Sequence, residues 1–135
     1  MNKLYDIDFP LWSKQQAQLL REGKFNELDL EHLIEEVEEL GKSEYKTCRS
    51  YAILIMIYLL CLRYWETEKD YNERHWNSEL YNFRLLLQKN LSNSIKNKLL
   101  QSWNELYQEA AKDFKDKTGL IAPQDCPFST EEILG

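Results

Sequence analysis

The sequence is poor in the residues that make turns and strands. It has four glycines, three prolines and no Asn-Gly or Asp-Gly pair in 135 residues, whereas the tight hairpins of a sheet protein favour those pairs. Valine, isoleucine and threonine total 13 residues against 22 leucines, and unbranched side chains lose less rotamer freedom in a helix than β-branched ones. The composition therefore argues against the β classes and predicts an all-α protein.

Cysteine and histidine are also scarce. The three cysteines, Cys48, Cys61 and Cys126, form no C-x-x-C pair, and Asp6 and Asp8 stand where a secretory signal needs a basic start and an apolar run. Structural zinc sites draw their ligands from close Cys or His pairs. We therefore expect reduced thiols, no structural zinc, no cofactor and a cytoplasmic location.

Long apolar runs are missing as well. The longest uninterrupted apolar run is the 12 residues Tyr51–Leu62, whereas a transmembrane helix needs about 20. With 43% hydrophobic residues, 30% charged residues and a formal charge of −6, the composition is that of a folded domain. We expect a single helical domain over residues 1–135 that does not associate with membranes.

The first third of the chain predicts two helices. Proline suits the first turn of a helix and glycine the left-handed position after its end, so Pro10 and Gly23 predict a helix over Pro10–Glu22. Asp29 is a suitable N-cap for an amphipathic helix, in which Gly41 is either the C-cap or an interior residue. The apolar stripe of this second helix consists of Leu30, Leu33, Ile34, Val37 and Leu40.

The middle of the chain predicts a core helix and two further helices. The apolar run Tyr51–Leu62 has the length of a helix surrounded by others, and we expect it to end or bend within Arg63–Asn72, where charges return. A fourth helix is predicted to about Asn90, and a fifth after an N-cap at Ser92 or Ser94. Their apolar stripes are Trp76, Leu80, Phe83 and Leu87, followed by Ile95, Leu99, Trp103, Leu106, Ala110 and Phe114.

The C-terminal segment carries its own stop and start signals. Gly119 is placed to end the fifth helix, and Pro123 and Pro127 to keep the following tail extended. Ser129 and Glu132 have the spacing of a capping box for a final turn. We therefore expect a compact bundle of about five helices with a short C-terminal helical turn, held together because the five apolar stripes bury one another.

Several short motifs follow one another along nearly the whole chain. They are Asp6, Asp8 and Trp12, then Gln16-Ala17, Leu20-Arg21, Phe25, Leu28-Asp29 and the run Leu33 to Gly41, and finally Trp76, Arg84, Thr118-Gly119-Leu120 and Cys126-Pro127. In this order they resemble the family of small bacterial proteins called domain of unknown function 29, abundant in cyanobacterial genomes. The resemblance implies an all-α fold and a bacterial cytosolic setting. Members often carry His-Leu-Leu-Lys where this chain has Tyr58 to Cys61, so the resemblance transfers no catalytic residue.

The acidic face of the second helix is the sharpest candidate for chemistry. Glu35, Glu36 and Glu39 spell E-E-x-x-E, a spacing that places carboxylates one helical turn apart, close enough to share Mg²⁺ or Mn²⁺. The spacing is similar to the magnesium motif of the all-α nucleotide pyrophosphohydrolases, in which metals stabilise charge on transferring phosphates. The companion E-x-x-D motif of those enzymes is absent from the next helix. The alternative to a metal site is a solvated polar face.

The histidines and the basic residues suggest further sites. His32 and His75 have no obvious nucleophile or ligand partner in sequence, which favours partly exposed rings. The stretch from Arg84 to Lys98 contains four basic residues and no acid, a pattern compatible with nucleic-acid binding. The formal charge of the chain is −6, however, whereas nucleic-acid-binding proteins usually have an excess of basic residues.

The remaining candidates belong to a contact surface. We expect Tyr64 and Trp65, beside charges at the end of the core helix, to be partly exposed, and Arg21 and Arg84 to be long enough to pair with glutamates across helices. No recognisable set of nucleophile, base and orienting group is present, whereas helical faces suited to a partner are plentiful. We therefore interpret the chain as an interaction or regulatory module that binds a protein partner or self-associates, and not as an enzyme. A metal-dependent nucleotide phosphohydrolase is the first alternative and a nucleic-acid-binding protein the second.

Overall fold

The computed structural model describes residues 3–135, and every regular element in that range is helical. The elements are α1 (Leu4–Ile7), α2 (Phe9–Arg21), a 3-10 turn (Phe25–Glu27), α3 (Leu30–Tyr64), α4 (Glu66–Asn90), α5 (Asn93–Gln101), α6 (Trp103–Thr118) and α7 (Thr130–Leu134). Five of the seven α-helices have nine residues or more. The predicted all-α class is confirmed.

The internal contacts of the chain divide it into two compact units. Unit 1 is Met1–Ser43 and unit 2 is Glu44–Gly135. Helix α3 supplies residues to both units, because it continues through Gly41 without interruption. Of the two predicted roles for Gly41, the structure therefore shows the interior one. The prediction of a single domain over residues 1–135 stays a prediction.

Unit 1 contains α1, α2, the 3-10 turn and the first turns of α3. The carboxylate of Asp8 caps α2 by accepting a hydrogen bond from the Leu11 amide at 3.2 Å, and a proline in the first turn favours this start. Gly23, at φ 71°, lies in the left-handed region after the helix end. The predicted helix Pro10–Glu22 is thus confirmed to within one residue at each end.

The apolar stripe at the start of α3 is mostly exposed. Leu30, Ile34, Val37 and Leu40 are 58%, 56%, 66% and 69% exposed, and only Leu33 is half-buried. The prediction that this stripe is buried was wrong. Unit 1 offers α2 as its one other long helix, and its buried side chains among the described residues are those of Trp12 and Gln16. Little of the stripe is therefore covered.

Unit 2 has a continuous apolar core. The run Tyr51–Leu62 is the central part of α3, as predicted, and the helix ends at Tyr64 within the predicted region. All the helices that follow in unit 2 contribute to the core. Its most completely buried side chains include Ile55, Met56, Leu60, Leu87, Leu99, Leu106, Tyr107 and Phe114.

The later helices differ from prediction in two places. Helix α4 begins at Glu66, ten residues before the first member of its apolar stripe, and acids at Glu66 and Glu68 favour that helix start. The predicted fifth helix is two helices, α5 and α6, separated at Ser102, whose backbone (φ −105°, ψ 18°) leaves the helical range. The stripe nonetheless continues across the break, since Leu99 and Leu106 on either side are fully buried.

The predicted caps of unit 2 are confirmed. Ser92 caps α5 by accepting a hydrogen bond from the Ile95 amide at 3.3 Å, and Gly119, at φ 76°, ends α6. Ser129 and Glu132 form the capping box of α7.

Helix α3 is also long and apolar enough to cross a membrane, judged by length and composition alone. An 18-residue window of this helix reaches a mean hydropathy of 1.3, and 44% of that window is buried in the structure. The core helix of a globular protein has the same length and composition, so this observation is weak evidence for a membrane span.

Candidate functional site

An aromatic cluster joins α1, α2 and α3 in unit 1. The ring of Tyr5 stacks on His32 with centroids 3.9 Å apart and an interplanar angle of 14°. The same ring meets Trp12 edge-on at 4.8 Å, and Phe9 lies 5.5 Å from Trp12. Edge-on and stacked aromatic pairs are both favourable packing geometries. The cluster therefore fixes α1 and α2 against the first turn of α3.

Asp29 is the polar centre of this cluster. Its carboxylate accepts a hydrogen bond from Trp12 Nε1 at 2.9 Å and another from His32 Nδ1 at 2.7 Å. The Asp29 amide donates to Oε1 of the buried Gln16 at 2.8 Å. The indole, the imidazole and the amide are thus held by one residue at the start of α3.

These contacts shift three pKa values. Burial would raise the pKa of Asp29, but hydrogen bonds from His32 and Trp12 outweigh it, so the pKa lies below the ordinary 3.8. The hydrogen bond to Asp29 raises the pKa of His32 above 6.5, and burial opposes this rise. The hydrogen bond from the Tyr5 hydroxyl to Glu36, together with burial, raises the pKa of Tyr5 to about 12. At neutral pH Tyr5 is therefore a proton donor and Asp29 an acceptor.

Beside this cluster lies an apolar depression, the α2/α3 groove. Its volume is about 370 Å³, and Trp12 and Gln16 of the cluster contribute to its lining. Its apolar lining residues are Phe9, Ala17 and Leu20 of α2 and Leu33, Val37 and Leu40 of α3. All of these except Leu33 and Ala17 are exposed. The groove is thus a concave surface whose walls are hydrophobic.

A second depression, the acidic recess, adjoins the groove at Glu36, which lines both. Its volume is also about 370 Å³. Its lining residues are Tyr5, Glu35, Glu36, Glu38, Glu39 and Lys42. The recess therefore contains the three glutamates proposed as metal ligands and one lysine. Within residues 3–135, no three or more His, Cys, Asp and Glu side chains are grouped so that they could hold a metal ion.

The predicted contact residues occupy different places. Arg21, in unit 1, donates from Nη1 to Gln18 Oε1 at 3.4 Å. In unit 2, Tyr64 is 37% exposed, whereas Trp65 is half-buried and stacks on Trp76 at 5.6 Å. Arg84 is half-buried, and its Nε donates to the backbone carbonyl of Glu132 at 3.0 Å, which ties α4 to α7. The Arg84 side chain thus binds the main chain of a glutamate and not its carboxylate.

The basic stretch from Arg84 to Lys98 is partly engaged within unit 2. Arg84 holds α7, and Lys98 Nζ lies 4.1 Å from the centroid of the Tyr45 ring. Lys89 and Lys96 are exposed. Two of its four charges therefore already have a partner in the fold.

Sequence reasoning missed the pairing of Asp29 with His32. The signal was available, because an N-cap aspartate followed three residues later by histidine places both side chains at the first turn of one helix. No sequence pattern predicts the stacking of Tyr5 on His32, since this contact depends on where α1 packs. The groove and the recess were likewise hidden, because their walls come from separate segments.

The fold and the site define an all-α protein with an apolar groove and a carboxylate-lined recess in its N-terminal unit. Residues 4–135 match the family described as domain of unknown function DUF29, and the chain belongs to that family. The resemblance noted in the sequence is thereby confirmed. No curated protein and no solved structure matches the chain.

Proposed function

We propose that this protein is a small cytoplasmic interaction module, in which the α2/α3 groove binds a segment of another protein. The observation that carries this proposal is the exposure of apolar side chains on both walls of the groove, with Val37 66% and Leu40 69% exposed. Contiguous apolar patches on a folded surface commonly mark interaction sites.

The arrangement beneath the groove supports this proposal. Trp12 and Gln16 are buried and bonded to Asp29, so the groove lies on a fixed scaffold. A preformed site loses less conformational entropy on binding than one that must be ordered first. The groove is therefore suited to hold a ligand with a few apolar side chains.

The charge of unit 1 argues against nucleic acid as the ligand of this groove. Residues 1–43 contain ten acidic and five basic residues, a formal charge of −5 out of −6 for the whole chain. Nucleic-acid affinity comes largely from neutralising phosphates with lysine and arginine. An acidic surround favours a protein segment instead.

Site-specific photo-cross-linking tests the proposal. A photoreactive phenylalanine analogue replaces Leu40 in the groove or, as the matched control, Tyr71, which is 87% exposed on α4 of unit 2. Irradiation in the cytosol of the native host should give a discrete adduct with one protein from position 40 and none from position 71. Adding Val37→Asp should abolish the adduct, because a charge in the apolar wall is costly to desolvate.

Two outcomes would reject the proposal. One is the absence of any adduct from position 40. The other is an identical set of adducts from positions 40 and 71, which would indicate random encounters.

A further inference from the structure

We infer that the segment bound in the α2/α3 groove is a basic amphipathic helix of a partner protein, with its apolar face in the groove and its lysine or arginine side chains at the acidic recess. This inference rests on the proposed function of the groove and adds the chemistry of the ligand. It is carried by Glu36, at which the apolar groove adjoins the acidic recess, because this residue lines both.

The walls of the groove favour a helix over an extended strand. Both walls are α-helices, whose backbone donors and acceptors are paired internally, so they present no edge to which a strand could bond. An inserted helix satisfies its own backbone hydrogen bonds and offers only side chains. Val37 and Leu40, together with Leu33, would then pack against its apolar face.

The size of the groove sets the length of the occupant. The α3 wall from Leu33 to Leu40 advances about 10 Å and the α2 wall from Phe9 to Leu20 about 16 Å, at 1.5 Å per residue. This range corresponds to about two to three turns of a bound helix. Apolar anchors at positions i, i+3 or i+4, and i+7 span that length on one face.

The charges beside the groove favour a basic occupant. The first turns of α3 carry five glutamates, at positions 31, 35, 36, 38 and 39, and four of them line the recess with Lys42. Glu36 stands where the groove meets the recess, and the Tyr5 hydroxyl bonds to its carboxylate, which fixes its orientation. A lysine or arginine flanking the apolar face of the ligand would meet a ready acceptor there.

The same charges disfavour a second copy of this chain as the occupant. Two copies that met through their grooves would bring together two units with a formal charge of −5 each. Like charges facing each other across an interface oppose association. The negative potential of unit 1 that repels a second copy attracts a basic partner.

Three labelled synthetic peptides of about 14 residues test the inference by fluorescence anisotropy with the full chain. The first has a leucine stripe at helical spacing with lysines on its flanks. The second replaces every lysine with glutamate, and the third keeps the composition of the first but scrambles the stripe. We expect the first peptide to bind at least about tenfold more tightly than either of the others, and less tightly as salt is added.

Matched pairs of variants separate the contribution of the acidic recess to peptide binding from that of the apolar groove. Glu35→Gln with Glu38→Gln should weaken binding of the lysine peptide about three- to tenfold, whereas Glu66→Gln with Glu73→Gln, which removes the same charge from exposed positions of α4, should not. Val37→Asp with Leu40→Asp should abolish binding, and Tyr71→Asp with Tyr81→Asp should leave it unchanged. Circular dichroism of each variant verifies that the helices remain.

The outcomes distinguish this inference from the proposed function. If the lysine and glutamate peptides bind equally and the groove variant abolishes both, the groove is a docking site but the inference of a basic ligand is wrong. Equal binding of the scrambled peptide would show unspecific attraction of charges and would also overturn the inference. So would the absence of peptide binding, or a dimer by light scattering that the Val37 and Leu40 changes dissociate. The cross-linking result decides the proposed function independently.

Discussion

Unit 1 and unit 2 share helix α3 but hold it by different interactions. In unit 2 the helix contributes to a cluster of 20 buried hydrophobic residues, the others coming from the later helices and the segment before α7. In unit 1 the apolar stripe of the same helix is largely exposed, and the contacts that hold it centre on the hydrogen bonds of Asp29. One continuous helix is thus a core element in one unit and a wall of an open groove in the other.

This difference shows what amphipathicity alone can establish. A stripe of apolar residues states which face of a helix avoids water, but not how much chain is available to cover it. Unit 2 supplies four helices to cover its part of α3, whereas unit 1 supplies mainly α2. We therefore expect unit 2 to depend on packing, and unit 1 to depend on a few polar bonds and to open locally at a lower free energy.

The largest effect is expected from a cavity in the unit 2 core. Phe114 is fully buried, so Phe114→Ala should lower the free energy of unfolding by about 3–5 kcal/mol. Urea titration followed by far-ultraviolet circular dichroism measures this loss. Phe25→Ala in unit 1 is the matched control: Phe25 is exposed, and its removal should change the free energy by no more than about 0.5 kcal/mol. Equal losses from both variants would contradict the contrast between the units.

A smaller effect of opposite sign is expected at Gly41. This residue lies inside α3, and a Cβ added there would meet no atom within 4 Å beyond its chain neighbours and the backbone of the adjoining turns. Because alanine favours a helix interior over glycine, Gly41→Ala should raise the free energy of unfolding by about 0.5–1 kcal/mol. Gly119→Ala, at φ 76°, should instead lower it by about 1 kcal/mol. A loss of stability in Gly41→Ala would mean that α3 ends at this residue.

Much of the fold could be predicted because local signals determine it. Pro10 and Gly23 delimit α2, and the spacing of Ser129 and Glu132 predicts the cap of α7. The break at Ser102 could not be predicted from periodicity, since the apolar stripe runs through it unchanged and only the backbone of one residue departs from the helix.

Less of the candidate site could be predicted, because it depends on how separate segments pack. The E-E-x-x-E motif contains Glu36, but its periodicity does not show that Tyr5, 31 residues earlier, bonds to that carboxylate. The same stripe that predicts burial for Val37 and Leu40 forms the open groove instead. The sequence pattern identifies the apolar face of the helix, and the tertiary fold determines whether that face is buried or exposed.

The smallest effect is expected from pH, and it should be confined to unit 1. The hydrogen bond with Asp29 raises the pKa of His32 above 6.5, so protonated His32 stabilises the folded state. A raised folded pKa gives stability that is complete below the unfolded pKa and is lost as the pH rises through the folded pKa. The lowered pKa of Asp29 contributes stability that is lost only below 3.8. Unit 1 should therefore keep both contributions between pH 3.8 and 6.5 and become less stable as the pH rises above 6.5.

Hydrogen exchange read by mass spectrometry measures this change, with the opening free energies of α2 and the start of α3 compared at about pH 5.5 and about pH 8.5 after correction for intrinsic exchange. His32→Gln should remove the pH dependence in these segments, because an amide cannot take up the proton. His75→Gln, in exposed surroundings on α4, is the matched control and should leave it intact. A pH dependence that persists in His32→Gln would show that a group other than His32 titrates in unit 1, and it would contradict the prediction.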